Sequence, residues 1–406
     1  MVSYADFSEK SLVFCRWLAI IAGIAAPIST AVTSVACAAM LVAWLASGEA
    51  ICSLKISAGQ PAGKMILVFY SWLLIGAFYA DTSWPDKIDT LLSWKKLAYT
   101  FILFGLFYQA HWQRLFVKSY LTIMAIAALV AGLLWLADIT IKPDNGPGIF
   151  MTSYVSQSMA FVAATICGIF LLKEPLSTKY KGFVGLAIAL FVFNIFFVSE
   201  ARSGYIAFPF AVVFAAGCAY GYKKLPQIFL MIAGIIFLAL LASPTLQQRL
   251  EKGMAEKANY QTSEEMTSIG LRVVYAQNSI ELIKKNPIWG YGTSSFKSTY
   301  SPYVAKKYSD WRGNSATDPH NQYLFVWLEN GLLGLILFFA YIVAAIRQGV
   351  AHQPYGAIAA SVLVAVCVSS LFSSHFKTFP EGHLLAFFVG ILLVHRNPDT
   401  SFQKCT

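Results

Sequence analysis

Runs of apolar residues close to twenty long, separated by short polar connections, recur from the first decade of the chain almost to its end. An α-helix needs about 20 such residues to cross a ~30 Å hydrocarbon layer. The pattern predicts an all-α integral membrane protein with about twelve transmembrane helices: Ser11 to Pro27, Thr30 to Ala46, Met65 to Tyr79, Lys96 to Gln109, Val117 to Ala137, Tyr154 to Leu172, Gly182 to Val198, Gly204 to Tyr222, Ile228 to Leu241, Pro319 to Ile346, Ala357 to Phe376 and His383 to Val394. One connection breaks the rhythm. Residues 242–318, between the ninth and tenth spans, are far longer than the ~12 to 15 residues beyond which a loop is usually functional or disordered. Within it Ile269, Val273, Ala276, Ile280 and Ile283 recur at helical spacing and predict an amphipathic helix over about 268–286, lying against the membrane or capping the helices below. The chain therefore divides into residues 1–241 with transmembrane helices 1 to 9, the partly helical loop 242–318, and residues 319–406 with helices 10 to 12 and a C-terminal tail.

Composition agrees with this picture. Only 12% of residues are charged and 57% are hydrophobic, against about 25% charged in a soluble domain. Lys55, Lys64, Arg114, Lys118, Lys173, Lys179, Lys181, Lys223, Lys224 and Arg347 fall on alternate connections, together with Lys10, Arg396 and Lys404 at the ends. Cytoplasmic loops carry the lysine and arginine excess, so both termini are expected in the cytoplasm and the long loop on the outer side. The same bias explains much of the net charge of +10, which needs no nucleic acid. Seven cysteines are scattered without CxxC spacing and read as small core residues. SVACA at 34–38 faintly resembles a lipoprotein cleavage site, but eleven further spans argue for a mature first helix.

Chemistry concentrates in three short segments. In DPHNQYLFVWLENGLLG, Asp318 has the chemistry of an N-cap and Pro319 suits a first helical position, so the tenth helix is expected to begin there with His320 in its first turn. Counted back from Arg347 along a straight helix, His320 lies roughly 40 Å away and Glu329 roughly 27 Å, both in the outer interface. The same ruler puts Arg202, in SEARSGY, at that level. Arg272, in SIGLRVVYA, sits at the end of the loop helix where the dipole disfavours a cation. Each residue also has a plain structural reading: interfacial arginines snorkel to lipid phosphates, Asn321 bonds backbone or cap groups, and Glu329 pairs with a neighbouring helix. GYG at 290–292 reads as a turn.

ARSGY after one span, a long outer loop carrying GLR and PIWGYGTSSF, and DPHNQYLFVWLENGLLG at the next helix together resemble the O-antigen ligase family of bacterial envelope assembly. That family is similar to a wider group of GT-C-like membrane glycosyltransferases with polyprenyl-diphosphate donors. The resemblance implies His320, Arg202 and Arg272 as catalytic residues, the two arginines as the diphosphate clamp, and Asp318, Asn321 and Glu329 as secondary candidates. It implies an undecaprenyl-diphosphate-linked glycan donor, a lipid A-core acceptor and membrane lipids as partners; no cofactor is expected, nor a metal, since the sequence has no HExxH, nor nucleic acid, since loop bias explains the charge. It places the protein in the Gram-negative inner membrane with its active site facing the periplasm. Asp86 and Asp89 are the nearest approach to a metal-binding pair and read more simply as a solvated face. Three alternatives stay open at this point: an O-antigen polymerase, a protein O-oligosaccharyltransferase with the same donor, and a lipid-linked glycan flippase or transporter.

Overall fold

The structure, a computed structural model, describes residues 4–259 and 266–394; Arg396 and Lys404, used above for orientation, lie outside them. Among the described residues every regular element is helical. In chain order these are α1 (Tyr4–Ala25), α2 (Thr30–Ala46), α3 (Ala50–Gly59), α4 (Pro61–Tyr79), α5 (Trp84–Ser93), α6 (Lys95–Leu106), α7 (Ala110–Leu136), α8 (Tyr154–Lys173), α9 (Thr178–Phe193), α10 (Arg202–Tyr220), α11 (Leu225–Ala242), α12 (Pro244–Asn259), α13 (Ser268–Lys285), α14 (Phe296–Lys307), α15 (Gln322–Ala351), α16 (Tyr355–Ser369) and α17 (Phe379–Leu392).

Each expected span coincides with a helix, and the expected amphipathic helix is α13. Seven of the described helices are long and apolar enough to cross a membrane, or eight if α2 and α3, bent by 105°, form one broken span. The apolar helices α16 and α17 are shorter than a full crossing. Four helices had no counterpart in the apolar pattern: α3 and α5 in connections, α12 and α14 in the long loop.

Burial follows the sequence of each helix. α8 is apolar on every face and is buried on nearly all of them, packing against α7, α9, α10 and α16 as the central post. α10 turns a stripe of small residues inward, Ala207, Ala211 and Ala215 four apart, so its backbone approaches α16 and α8 closely. Gly204 takes this furthest, since a Cβ there would stand 1.9 Å from Ser158 Oγ. α11 has the highest mean hydropathy of the spans and the least burial, as a lipid-facing helix should.

The tenth span departs from the straight helix the sequence suggested. It begins at Gln322, with Asn321 as N-cap accepting the Tyr323 and Leu324 N–H groups at 3.0 Å each; Asp318 and His320 therefore precede the helix. It also breaks at Gly331, whose φ of 67° is open to glycine and strained for other residues. The break has a partner. The loop turn at 287–292 slots into it: Tyr291 N–H donates to Leu328 O, Gly292 N–H to Glu329 O, and Leu332 N–H to Pro287 O. The GYG turn is thus the wedge that satisfies the backbone groups released by the kink. A constant rise from Arg347 does not hold across such a kink, so the estimated heights of His320 and Glu329 do not apply.

Candidate functional site

The chain enters the site through a π-helical turn at Asn194–Val198, closed by Ser199 N–H donating to Asn194 O at 2.8 Å. Asn194 is buried there, its Nδ2 shared between Ala128 O and Leu190 O. Such turns recur at functional sites because they re-aim the chain without ending the helix run. Here the turn delivers Arg202 to the first position of α10. Its guanidinium lies 3.6 Å from Glu256 on α12, a carboxylate only 8% exposed. The α10 N-cap, Ala201, offers no side-chain acceptor, so the first amides of this helix keep their partial positive charge.

Arg272 comes from α13. Its Nη1 donates to Ser268 Oγ at 2.8 Å and its Nε to Phe372 O at 3.2 Å, which fixes the guanidinium between two segments. Burial lowers its pKa from the ordinary arginine value; at that starting point the group is still charged at any physiological pH. Tyr275, almost one turn along the same helix, stacks its ring on that of His320, with centroids 5.9 Å apart and planes within 10°. One face of α13 therefore carries an arginine and a seat for the histidine.

His320 occupies the left-handed region, with φ 52°. That backbone is held from both sides: Asp318 Oδ1 accepts the His320 N–H at 2.7 Å, and Asn321 anchors α15 and donates through Nδ2 to Leu371 O. A strained backbone of this kind costs on the order of 1 kcal/mol and persists where its surroundings over-determine it. Burial depresses the imidazole pKa below 6.5; the Asp318 carboxylate works against the shift, while Arg272 and His375 reinforce it. The neutral ring is the favoured form near neutral pH.

The three segments meet around one cavity of about 830 Å³, whose wall includes Arg202, Arg249, Lys252, Arg272, His320 and His375. Three carboxylates temper it: Glu200 paired with Arg249, Glu256 beside Arg202, and Glu381. Glu381 is buried and accepts the Ser156 and Thr378 hydroxyls at 2.7 and 2.6 Å, with His375 Nδ1 3.8 Å away. A second cavity of about 780 Å³ opens on His320 as well, and Asp86, Asp89, Asp318, Glu329, Lys297 and Lys377 line it.

The secondary candidates separate. Asn321 spends its whole amide on capping and on Leu371 O, a positioning role. Asp318 orders the His320 backbone and lines the second cavity. Glu329 is 1% exposed and pairs with a neighbouring helix, as its plain reading expected: its Oε1 accepts the Phe296 N–H at the start of α14. Arg249, Lys252, His375, Glu381 and Tyr275 were not anticipated. Arg249 and Lys252, at i and i+3, and a histidine in the connection before α17 were visible signals; nothing local marked Glu381.

Fold and site define a multi-pass helical membrane protein whose loop helices close a basic cavity over the ends of the bundle. Residues 186–339, spanning Arg202, Arg272 and His320, match the family model described as O-antigen ligase. Two curated relatives are each 26% identical: an uncharacterised protein of Haemophilus influenzae over 197 residues, 47% of this chain and 49% of the relative, and an O-antigen ligase of Salmonella typhimurium over 286 residues, 69% of this chain and 63% of the relative. Over these residues the chain is similar to the O-antigen ligase family. The matches span about half and just under two thirds of these relatives' own lengths.

Proposed function

We propose that this protein is an O-antigen ligase that moves a polysaccharide from undecaprenyl diphosphate to a sugar hydroxyl of lipid A-core. It acts on the periplasmic face of the inner membrane, with twelve spans and both termini cytoplasmic. The observation that carries this reading is the meeting of His320, Arg202 and Arg272 at one cavity from three separate stretches of chain.

The chemistry follows from the residue types. A ring nitrogen of neutral His320 takes the proton of the acceptor hydroxyl as its oxygen attacks the anomeric carbon. The bond from that carbon to the diphosphate oxygen breaks, and its electron pair leaves with undecaprenyl diphosphate. Arg202 and Arg272, with the open amides at the start of α10, hold the growing negative charge. A single displacement inverts the anomeric configuration. These arginines supply the charge that a divalent cation would otherwise supply, so transfer is metal-independent in this proposal.

The test is transfer by purified protein from undecaprenyl-diphosphate glycan to lipid A-core in the presence of chelator. Wild type is expected to transfer, and His320→Ala to lose about 10²- to 10⁴-fold, the usual worth of a general base. Near-normal transfer by a folded His320→Ala protein removes the base assignment; loss of wild-type transfer in chelator, restored by magnesium, removes metal independence. A donor that is lengthened or moved across the bilayer without transfer makes the protein a polymerase or a flippase.

A further inference from the structure

His320 borders two cavities, and only one of them has so far been given a content. The arginine cavity suits an anion. The other is different in kind: hydroxyls of Thr90, Ser298, Ser301 and Ser374 line it, with four carboxylates (Asp86, Asp89, Asp318, Glu329) against two ammonium groups (Lys297, Lys377). It also holds unfinished hydrogen bonding. Glu329 Oε2 and Ser374 Oγ, in residues 1% and 2% exposed, have no partner among the described residues, although both side chains line this cavity. Buried polar atoms are almost always partnered, so these two leave the wall with unused polar capacity behind the exposed Asp86, Asp89 and Ser298 that line the cavity.

We infer that this second cavity binds the acceptor saccharide, taking an unphosphorylated, polyhydroxyl sugar unit. The inference rests on the ligase reading. An inverting displacement needs the nucleophile and the leaving group on opposite sides of the anomeric carbon. Cavities meeting at the general base provide that separation: diphosphate among the arginines, acceptor hydroxyl on the carboxylate side, His320 within reach of its proton. Carboxylate oxygens accept from vicinal sugar hydroxyls, and serine and threonine hydroxyls serve either way. The acidic balance disfavours a phosphate on the bound sugar, since like charges in a partly enclosed site repel. Asp86 and Asp89, three apart on α5, stand together on one face of that helix at the cavity wall. The unanticipated helix α5 is then a specificity element.

The experiment uses the full chain in lipid nanodiscs and two probes: core oligosaccharide freed of its lipid and its phosphates, and undecaprenyl diphosphate. The double variant Asp86→Asn with Asp89→Asn is expected to bind the oligosaccharide about tenfold more weakly, with undecaprenyl diphosphate binding within about twofold of wild type. Retained lipid binding certifies the fold. Arg202→Ala is expected to do the reverse, and phosphorylated oligosaccharide to bind wild type more weakly than the dephosphorylated form. Unchanged oligosaccharide affinity in the double variant, or a loss confined to Arg202→Ala, overturns the inference. If wild type binds oligosaccharide through Asp86 and Asp89 yet transfers nothing, the ligase reading fails and this site stands; if it transfers while the double variant keeps full acceptor affinity, the ligase reading stands and this site fails.

Discussion

The two cavities beside His320 are nearly equal in size, about 830 and 780 Å³, and opposite in chemistry. One gathers Arg202, Arg249, Lys252 and Arg272, with Glu200, Glu256 and Glu381 on the same wall. The other gathers hydroxyls and carboxylates, with Lys377 drawn over the Phe325 ring at 3.5 Å and its pKa lowered by burial against the pull of Glu329 and Asp318. Strong point charges suit a diphosphate; many weak, directional donors and acceptors suit a sugar. The contrast teaches that one end of the bundle carries two chemically distinct compartments, which meet at His320, Ser373 and Thr378.

The sharpest way to break the contrast is at Arg202. Arg202→Ala is expected to cut transfer by about 10²- to 10³-fold, the scale of losing one charge-stabilising donor at a reacting centre. Arg202→Lys keeps the charge and loses the planar fork, so an intermediate loss, within tenfold of alanine, is expected if the fork binds phosphate oxygens. Full activity in the lysine variant, read as kcat and KM for donor, means that any cation suffices and the residue is an anchor.

The kink beside Glu329, which lines the hydroxyl compartment, is tested at Gly331. A Cβ there would lie 2.0 Å from Ile288 O, and the backbone at φ 67°, ψ −173° adds about 1 to 3 kcal/mol of strain for a non-glycine residue. Gly331→Ala is expected to dislodge the 287–292 turn and with it Glu329, whose Oε1 holds the first amide of α14. Thermal denaturation in detergent should fall by several degrees, and acceptor KM should rise more than donor KM. Equal rises in both would show that the kink supports the whole site rather than one side of it.

Legibility in the sequence tracks the same contrast. The membrane helices announce themselves by long apolar runs, because burial in lipid demands them at every position. The arginine compartment was also legible: Arg202, Arg272 and His320 lie in compact motifs where a charge beside a span is conspicuous. The hydroxyl compartment was not, since α5, α14, the 317–329 segment and the 373–378 connection each bring a few serines, threonines or aspartates unremarkable in any loop. The kink was hidden for another reason. Gly331 lies within a continuous apolar run, and only the partner turn at 287–292, some forty residues earlier, explains why a glycine stands there. The start of α15 was displaced by a local competition: Asp318 spent its oxygen on the His320 N–H, leaving the cap to Asn321.

The smallest effect, and the most specific to His320, is in pH. Transfer requires neutral His320, and burial together with Arg272 and His375 depresses its pKa below 6.5, only partly opposed by Asp318. The rate should therefore fall as pH drops through that depressed value and be level above it, with the acid midpoint lying below 6.5. Asp318→Asn removes the one neighbour that raises the pKa, so its midpoint should move further down by a fraction of a unit, with kcat on the plateau reduced only as far as the His320 backbone loosens. A pH–kcat profile of the two proteins reads this directly. A midpoint above 6.5, or an upward shift in the variant, would mean that the titrating group is not His320 in this charge environment, and His320 would then lose its claim to act as the base where the two compartments meet.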